Sequence, residues 1–402
     1  MLVGLTGRSS GRFVPWTALS WALVLAAAAG CVVLGVLDII TPPPPLPERE
    51  LLAVLPGAAS IEKHSEPFFH YRAFDGGGTE LGAVIVTDSL PPSVRGYMGE
   101  IGSAVGITAD GRITLAVPLR HLETPYYMAM IDSSGLWKEL AGLDLAVPFP
   151  GIDTVSGATV SSRAIIRDVR EAASLAARSL FAIEVPPPSV TAKNPWTEFK
   201  TITVAVLLLL SLAAGISRER APFKSAVMIL NLAGIGFLVN TPLTLSALSR
   251  ALTLKYPGPE NPLLILIFLY ILLSVPLQGR AYCRLVCPFG ILQQFAARFS
   301  PWQFTLTPGV LSLLPGLRRL VLGLLLFLTV WVGWSGFAEV EPFFGLFSLK
   351  LTPLLWATVI FFIIVSLFVR RFWCNAMCPT GTMLSMLSRM ARPGSGKDDE
   401  AV

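Results

Sequence analysis

Charge is what this chain has least of. Only 14% of its 402 residues are Asp, Glu, Lys or Arg and 53% are hydrophobic, where an ordinary soluble domain is about a quarter charged. That excludes a conventional soluble protein and points to a membrane protein. The formal net charge of +5 reads as basic loops on one membrane face, and no nucleic-acid partner is expected. Histidine is nearly missing: His64, His70 and His121 are all there are, and none lies in an apolar run. Haem held by a membrane-embedded histidine is therefore excluded. Cysteine is sparse too, and a set so small and clustered is no secreted disulfide framework.

What the chain does have is long apolar runs. The first, residues 14–40, follows Arg8 and Arg12. It exceeds the roughly 7–15 apolar residues of a signal peptide and reads as an uncleaved transmembrane anchor. Its Cys31 reads as a small residue packed within a helix. Further spans are expected near 199–217, 225–247, 261–278, 319–336 and 353–369, each near the ~20 residues needed to cross. Between the anchor and these spans the chain turns polar. "TPPPPLP" (41–47) is a stiff tether, and residues 48–185 form a domain of their own. Strand-like "LGAVIVTD" and "GRITLAVPLR", a turn at Asp110-Gly111 and a closing stretch with helical periodicity make that domain α+β. A linker (186–198), a five-helix membrane domain (199–392) and a short tail (393–402) follow. The expected fold class is an α-helical membrane protein of about six transmembrane helices with one extracytoplasmic α+β domain.

Orientation follows from the short loops. Arg8 and Arg12; Arg218, Arg220 and Lys224; Arg280, Arg284, Arg298, Arg318 and Arg319; and Arg370, Arg371, Arg389, Arg392 and Lys397 fall on one side. Only Arg250, Lys255 and Lys350 fall on the other. Excess Lys and Arg marks the cytoplasmic side. Residues 1–13 and the tail are then cytoplasmic, and the polar domain lies in the periplasm of a bacterial inner membrane. Glu339 and Glu341 are expected in a periplasmic loop, as ordinary loop acids or as proton acceptors for a quinol.

Two stretches repeat each other. "GRAYCRLVCPFG" gives Arg280, Cys283, Cys287, Pro288 and Gly290, and "RRFWCNAMCPTG" gives Arg371, Cys374, Cys378, Pro379 and Gly381. Each follows a hairpin of two spans, so the pattern reads as an internal repeat. Cysteines four apart share one helical face, and two such pairs make a four-thiolate site. Soft thiolates select an iron–sulfur cluster, zinc or copper(I). An iron–sulfur cluster is favoured, four-iron over two-iron, with zinc or no metal as the alternatives. Arg280 and Arg371 would offset the charge of such a cluster, or serve only as membrane anchors.

These paired CxxxCP hairpins resemble the membrane core of the NosR/NapH-type iron–sulfur electron-transfer proteins, over roughly residues 199–392. Relatives of the NosR kind also carry a cytoplasmic ferredoxin domain. No such domain is seen in these 402 residues, so a single cluster is expected. The family implies an FMN-binding domain ahead of the spans, similar to the flavin-bearing subunits of Rnf and of Na+-translocating NADH:quinone oxidoreductase. There, a D-x-x-S-G-A-T segment receives FMN by a phosphoester on its threonine, attached by a flavin transferase. The matching residues are Asp153, Ser156, Gly157, Ala158 and Thr159, so the resemblance implies covalent FMN on Thr159. Residues 96–127 resemble the same domain, and its E-T-P turn implies flavin contacts for Glu123 and Thr124. Read on the residues alone, the segment is also a plausible helix start, with Ser156 or Thr159 as its cap.

The function expected is electron transfer between a cytoplasmic or quinone-side cluster and periplasmic FMN. A hydrocarbon core of about 30 Å separates the two, so a quinone, a partner subunit's cofactor or a more deeply seated cluster is expected to bridge it. The alternatives are a redox-sensing regulator and a subunit of an ion-translocating redox complex.

Overall fold

The computed structural model describes residues 14–40, 48–90, 94–187, 194–217, 221–252, 261–304, 307–332 and 353–392, apart from positions 98, 122, 124, 156 and 195, with isolated residues between 341 and 349. Two compact units emerge. One comprises residues 38–203 and 255–265, the other residues 1–37, 204–254 and 266–402. The chain is mostly helical, with one small antiparallel sheet.

The first unit holds that sheet. After helix α2 (Glu48–Ala53) come β1 (Ser60–His64), β2 (His70–Phe74), β3 (Glu80–Val86), β4 (Ile101–Thr108) and β5 (Ile113–His121). They pair in sequence order as an antiparallel meander. Helices α3 (Pro125–Ser134) and α4 (Leu136–Leu140) follow, then α5 (Thr159–Phe181). α5 lies on β3 and β4. Its buried stripe is Ile165 and Val169 with Ala172, Ala173, Ala176 and Ala177, small residues that let the helix approach the sheet closely. The α+β expectation for residues 48–185 is met by these elements.

The second unit is helical. It contains α1 (Val14–Ile40), α6 (Phe199–Ile216), α7 (Ala221–Asn231), α8 (Leu245–Leu252), α9 (Pro262–Gln278), α10 (Pro288–Phe299), α11 (Pro308–Val332), α12 (Pro353–Phe368), α13 (Phe372–Ala376) and α14 (Pro379–Ala391). Among the described residues, two helices are long and apolar enough to cross a membrane, Phe199–Ile216 and the continuous Ala221–Val239. Ala18–Leu34, Pro262–Gln278 and Pro353–Phe368 are shorter apolar stretches. One core cluster joins Val24, Ala27 and Cys31 of α1 to Leu322, Leu325 and Leu326 of α11. Cys31 is fully buried there, the packing role expected for it.

Two span boundaries differ from expectation. The run placed at 225–247 ends earlier: α7 passes into a π-helical stretch, Leu232–Val239, and stops at Asn240, whose φ is 52°. The run placed at 319–336 begins earlier, because α11 starts at Pro308 and continues through Pro315. Arg318 and Arg319 are therefore not loop residues. Both lie inside α11 and are buried. Arg319 Nε donates to Ser20 Oγ of α1 at 2.8 Å, with its guanidinium over the Trp21 ring.

Candidate functional site

The flavin-type segment folds as a tight lead into a helix. Gly157 has φ 90°, a conformation that disfavours any side chain. The chain then passes through buried Ala158 and enters α5 at Thr159. No side chain caps this helix, so Thr159 is not its cap. Ser156 lies outside the described residues. The turn is fixed from one position further in. Ser162 Oγ donates to Ala158 O and accepts from Val155 N, both at 2.9 Å. Thr159 is left half-buried, its hydroxyl 3.4 Å from Val155 O.

Glu123 comes to the same place from a distant segment. Its Oε2 accepts from Ser161 Oγ at 2.8 Å, and both residues are buried. A Cβ on Gly96 would fall 2.4 Å from Glu123 Oε1, which explains the glycine at that position. Tyr97 meets Tyr127 edge to face at 5.5 Å. The structure thus joins Gly96, Glu123 and Ser161, the last lying two positions beyond Thr159 in α5; Asp153 is exposed ahead of them, and Thr124 lies outside the described residues. No acid occupies the first turn of α5, so its positive end is open to an anion such as a phosphate. A small hydroxyl beside open helix amides fits a phosphoester of FMN. Farther along α5, burial raises Asp168 to a pKa of about 7 against a hydrogen bond from Thr87.

The cysteine stretches do not fold as single helices with both thiols on one face, and the reason is Pro288 and Pro379. Proline at the first helical position forces its predecessor extended. Cys287 (φ −61°, ψ 115°) and Cys378 (φ −59°, ψ 113°) share that conformation, each heading the next helix, α10 or α14. The first cysteine of each pair sits instead on a short preceding turn. Cys283 lies in the π-helical Tyr282–Val286, and Cys374 in α13. Cys287 N and Cys378 N close the turns onto Tyr282 O (2.8 Å) and Trp373 O (2.9 Å). Gly381 N donates to Cys378 Sγ at 3.2 Å. Each second cysteine thus sits at the N-terminal end of a helix, Cys287 at α10 and Cys378 at α14.

The two repeats brace each other. Arg371 of the second donates to Cys283 O of the first. Gln293 of the first donates to Cys374 Sγ of the second at 3.6 Å, and its other amide atom accepts from Ser366. Cys287, Cys374 and Cys378 meet around one apolar cluster with Phe289, Phe362 and Trp373. Among the described residues, no three His, Cys, Asp or Glu side chains group as ligands of one ion. Three buried donors in this region, Arg318 Nη2, Arg371 Nε and Trp373 Nε1, have no hydrogen-bond acceptor. Buried donors without acceptors are costly, and an anionic cluster among the thiolates fits them.

Glu341 departs most from expectation. It is not an exposed loop acid but is buried. Its carboxylate accepts from Thr380 Oγ1 at 2.6 Å and from Leu245 N at 3.0 Å. Glu339 lies outside the described residues. Sequence reading missed Glu341 in this place, along with Gln293, Arg318, Thr380 and Thr382. Only the charge of Glu341 and Arg318 within apolar surroundings signals them.

Comparison with known proteins agrees with both sites. The FMN-binding domain family matches residues 96–174, and the 4Fe-4S binding domain family matches twice, at 260–306 and 351–397. Each of those two matches contains one cysteine repeat. Residues of the chain are 30% identical to Regulatory protein NosR of Stutzerimonas stutzeri over 139 positions, 32% of this chain and 19% of that protein. A Pseudomonas aeruginosa NosR is also 30% identical, over 136 positions and 19% of its length. Methylamine utilization ferredoxin-type protein MauN of Methylobacillus flagellatus is 31% identical over 121 positions, 28% of this chain and 41% of that protein. The chain thus spans well under two thirds of the curated relatives it matches. The matches to an FMN-binding domain and to a 4Fe-4S binding domain, with NosR and MauN among the similar proteins, support a likeness to the NosR/NapH-type family.

Proposed function

We propose that this chain is a multi-pass membrane electron carrier, with FMN bound covalently to Thr159 and one four-iron cluster on Cys283, Cys287, Cys374 and Cys378. The observation that carries this reading is the mutual bracing of the two Cys-Pro-x-Gly turns around buried donors that lack an acceptor. When bound, the flavin exchanges one or two electrons and the cluster one. The protein's part is to hold four thiols in an apolar pocket and to offer Thr159 to a flavin transferase at an open helix end.

Membrane placement is supported by the outer faces of the helices. Leu209, Leu272, Leu354 and Phe361 are exposed on α6, α9 and α12, a patterning suited to lipid rather than water. Arg280, Arg318 and Arg319 are buried and leave the orientation argument. Arg284, Arg298, Arg370, Arg389 and Arg392 still favour cytoplasmic termini and a periplasmic flavin domain. A quinone or a partner subunit's cofactor then carries electrons between the two sites, and a periplasmic redox protein exchanges them with the flavin. A redox-sensing regulator is the second reading, favoured by the regulatory name of the NosR relatives.

The test is co-expression with a flavin transferase, then a denaturing gel viewed for flavin fluorescence. A bright wild-type band and a dark Thr159→Val band are expected. A dark wild-type band, with the transferase active on a control, overturns covalent attachment.

A further inference from the structure

Arg318 is a buried cation among the donors that the cysteine site leaves without an acceptor. It sits inside α11, 8% exposed. A buried charge is tolerated only where something compensates it. Its Nε donates to Thr382 Oγ1 at 3.1 Å. The Thr382 hydroxyl is itself committed, donating to Cys378 O at 2.8 Å. Cys378 O, Thr382 and Arg318 thus form a relay that fixes the guanidinium relative to a cysteine of the site. Nη2 is buried with no hydrogen-bond acceptor. The first repeat has no counterpart to the relay, since Ile291 stands where Thr382 stands in the second.

We infer that Arg318 is a positioning residue for the cluster, donating its Nη2 hydrogen to anionic sulfur at the four cysteines and so raising the reduction potential. This rests on the cysteines holding a cluster. The sign follows from charge alone. The one-electron-reduced cluster is the more negative form, a nearby fixed cation stabilises it more than the oxidised form, and hydrogen bonds to sulfur act the same way. The fork of Arg, with one N–H anchored and another left without an acceptor, is a geometry that Lys does not reproduce.

The experiment uses the full chain, purified without oxygen in detergent. Iron and acid-labile sulfide are measured first, and the cluster is then titrated with reductant under paramagnetic resonance. Wild type, Arg318→Gln, Arg318→Lys and Thr382→Val are compared. Arg318→Gln is expected to keep its iron and titrate at a more negative potential. Arg318→Lys, which keeps the charge, and Thr382→Val, which frees the guanidinium, are expected to shift less in the same direction. An Arg318→Gln protein with full iron and the wild-type potential overturns the inference. If that variant loses iron, wild-type potentials in both Arg318→Lys and Thr382→Val overturn it instead. A wild type that binds no iron overturns the cluster reading, and this inference falls with it.

Discussion

The two cysteine repeats share a backbone and differ in what surrounds it. Both end in a cysteine held extended by a following proline, with nearly equal dihedral angles. The first is followed by Phe289 and Ile291, the second by Thr380 and Thr382. Those hydroxyls bring a buried Glu341 and a buried Arg318 to the second repeat alone. The first repeat is held by other side chains: Tyr282 Oη accepts from Leu243 N at 2.8 Å, Asn231 Nδ2 donates to Leu285 O at 2.8 Å, and Arg371 donates to Cys283 O. The repeat therefore supplies the ligands symmetrically, and the later side chains supply the electrostatics asymmetrically.

The shared part of this comparison breaks most completely at the ligands. Cys283→Ala and Cys374→Ala are each expected to abolish the cluster, read as loss of iron and of its visible absorption. A variant of either repeat that keeps full iron would show that the two do not serve one site. The glycines should then separate the repeats. A Cβ on Gly290 would fall 2.6 Å from the backbone Cys283 O, whereas one on Gly381 would sit 3.4 Å from Cys378 Sγ. Gly290→Ala is expected to cost about 1–3 kcal/mol and to lower iron occupancy, with Gly381→Ala close to wild type. Equal losses in the two variants would contradict the asymmetry.

At Glu341 the second repeat alone should respond. Glu341→Leu leaves Thr380 Oγ1 and Leu245 N without their acceptor, at a cost of about 1–3 kcal/mol. Replacing Thr380 with Val as well should recover part of the loss, as in a double-mutant cycle on thermal inactivation. Gln293→Leu removes one donor to Cys374 Sγ and is expected to shift the cluster potential only slightly, to the negative side, with iron intact.

The sheet unit offers a pH contrast. The pKa of Asp168 is raised to about 7 in the folded state, above the ordinary 3.8. The folded state therefore binds the proton more tightly than the unfolded state. Stability is greatest below pH 4 as far as this group is concerned, and it falls as pH rises from about 4 to 7. Asp168→Asn is expected to flatten that slope, followed by flavin fluorescence during unfolding; an unchanged slope would remove Asp168 as its source.

How much of this was legible depended on sequence separation. The cysteines, the prolines behind them and the D-x-x-S-G-A-T segment carry their chemistry within about a dozen residues, so a linear reading finds them. The reading of Cys283 and Cys287 as one helical face failed because proline at the next position outweighs helical spacing. Arg318 was taken for a loop cation because positive-inside reasoning counts charges, not contacts, and its partner Thr382 lies 64 residues away. Glu341 and Leu245 are 96 residues apart. No local pattern announces a pairing at that range.

Cofactor stoichiometry tests the central claim most directly. The full chain, made with a flavin transferase and purified without oxygen, is assayed for protein, covalent flavin, iron, acid-labile sulfide and zinc in one sample. The expected result is about one flavin to about four iron and four sulfide per chain, with no zinc. Zinc in place of iron, or iron without covalent flavin, would contradict an electron carrier built from these two sites.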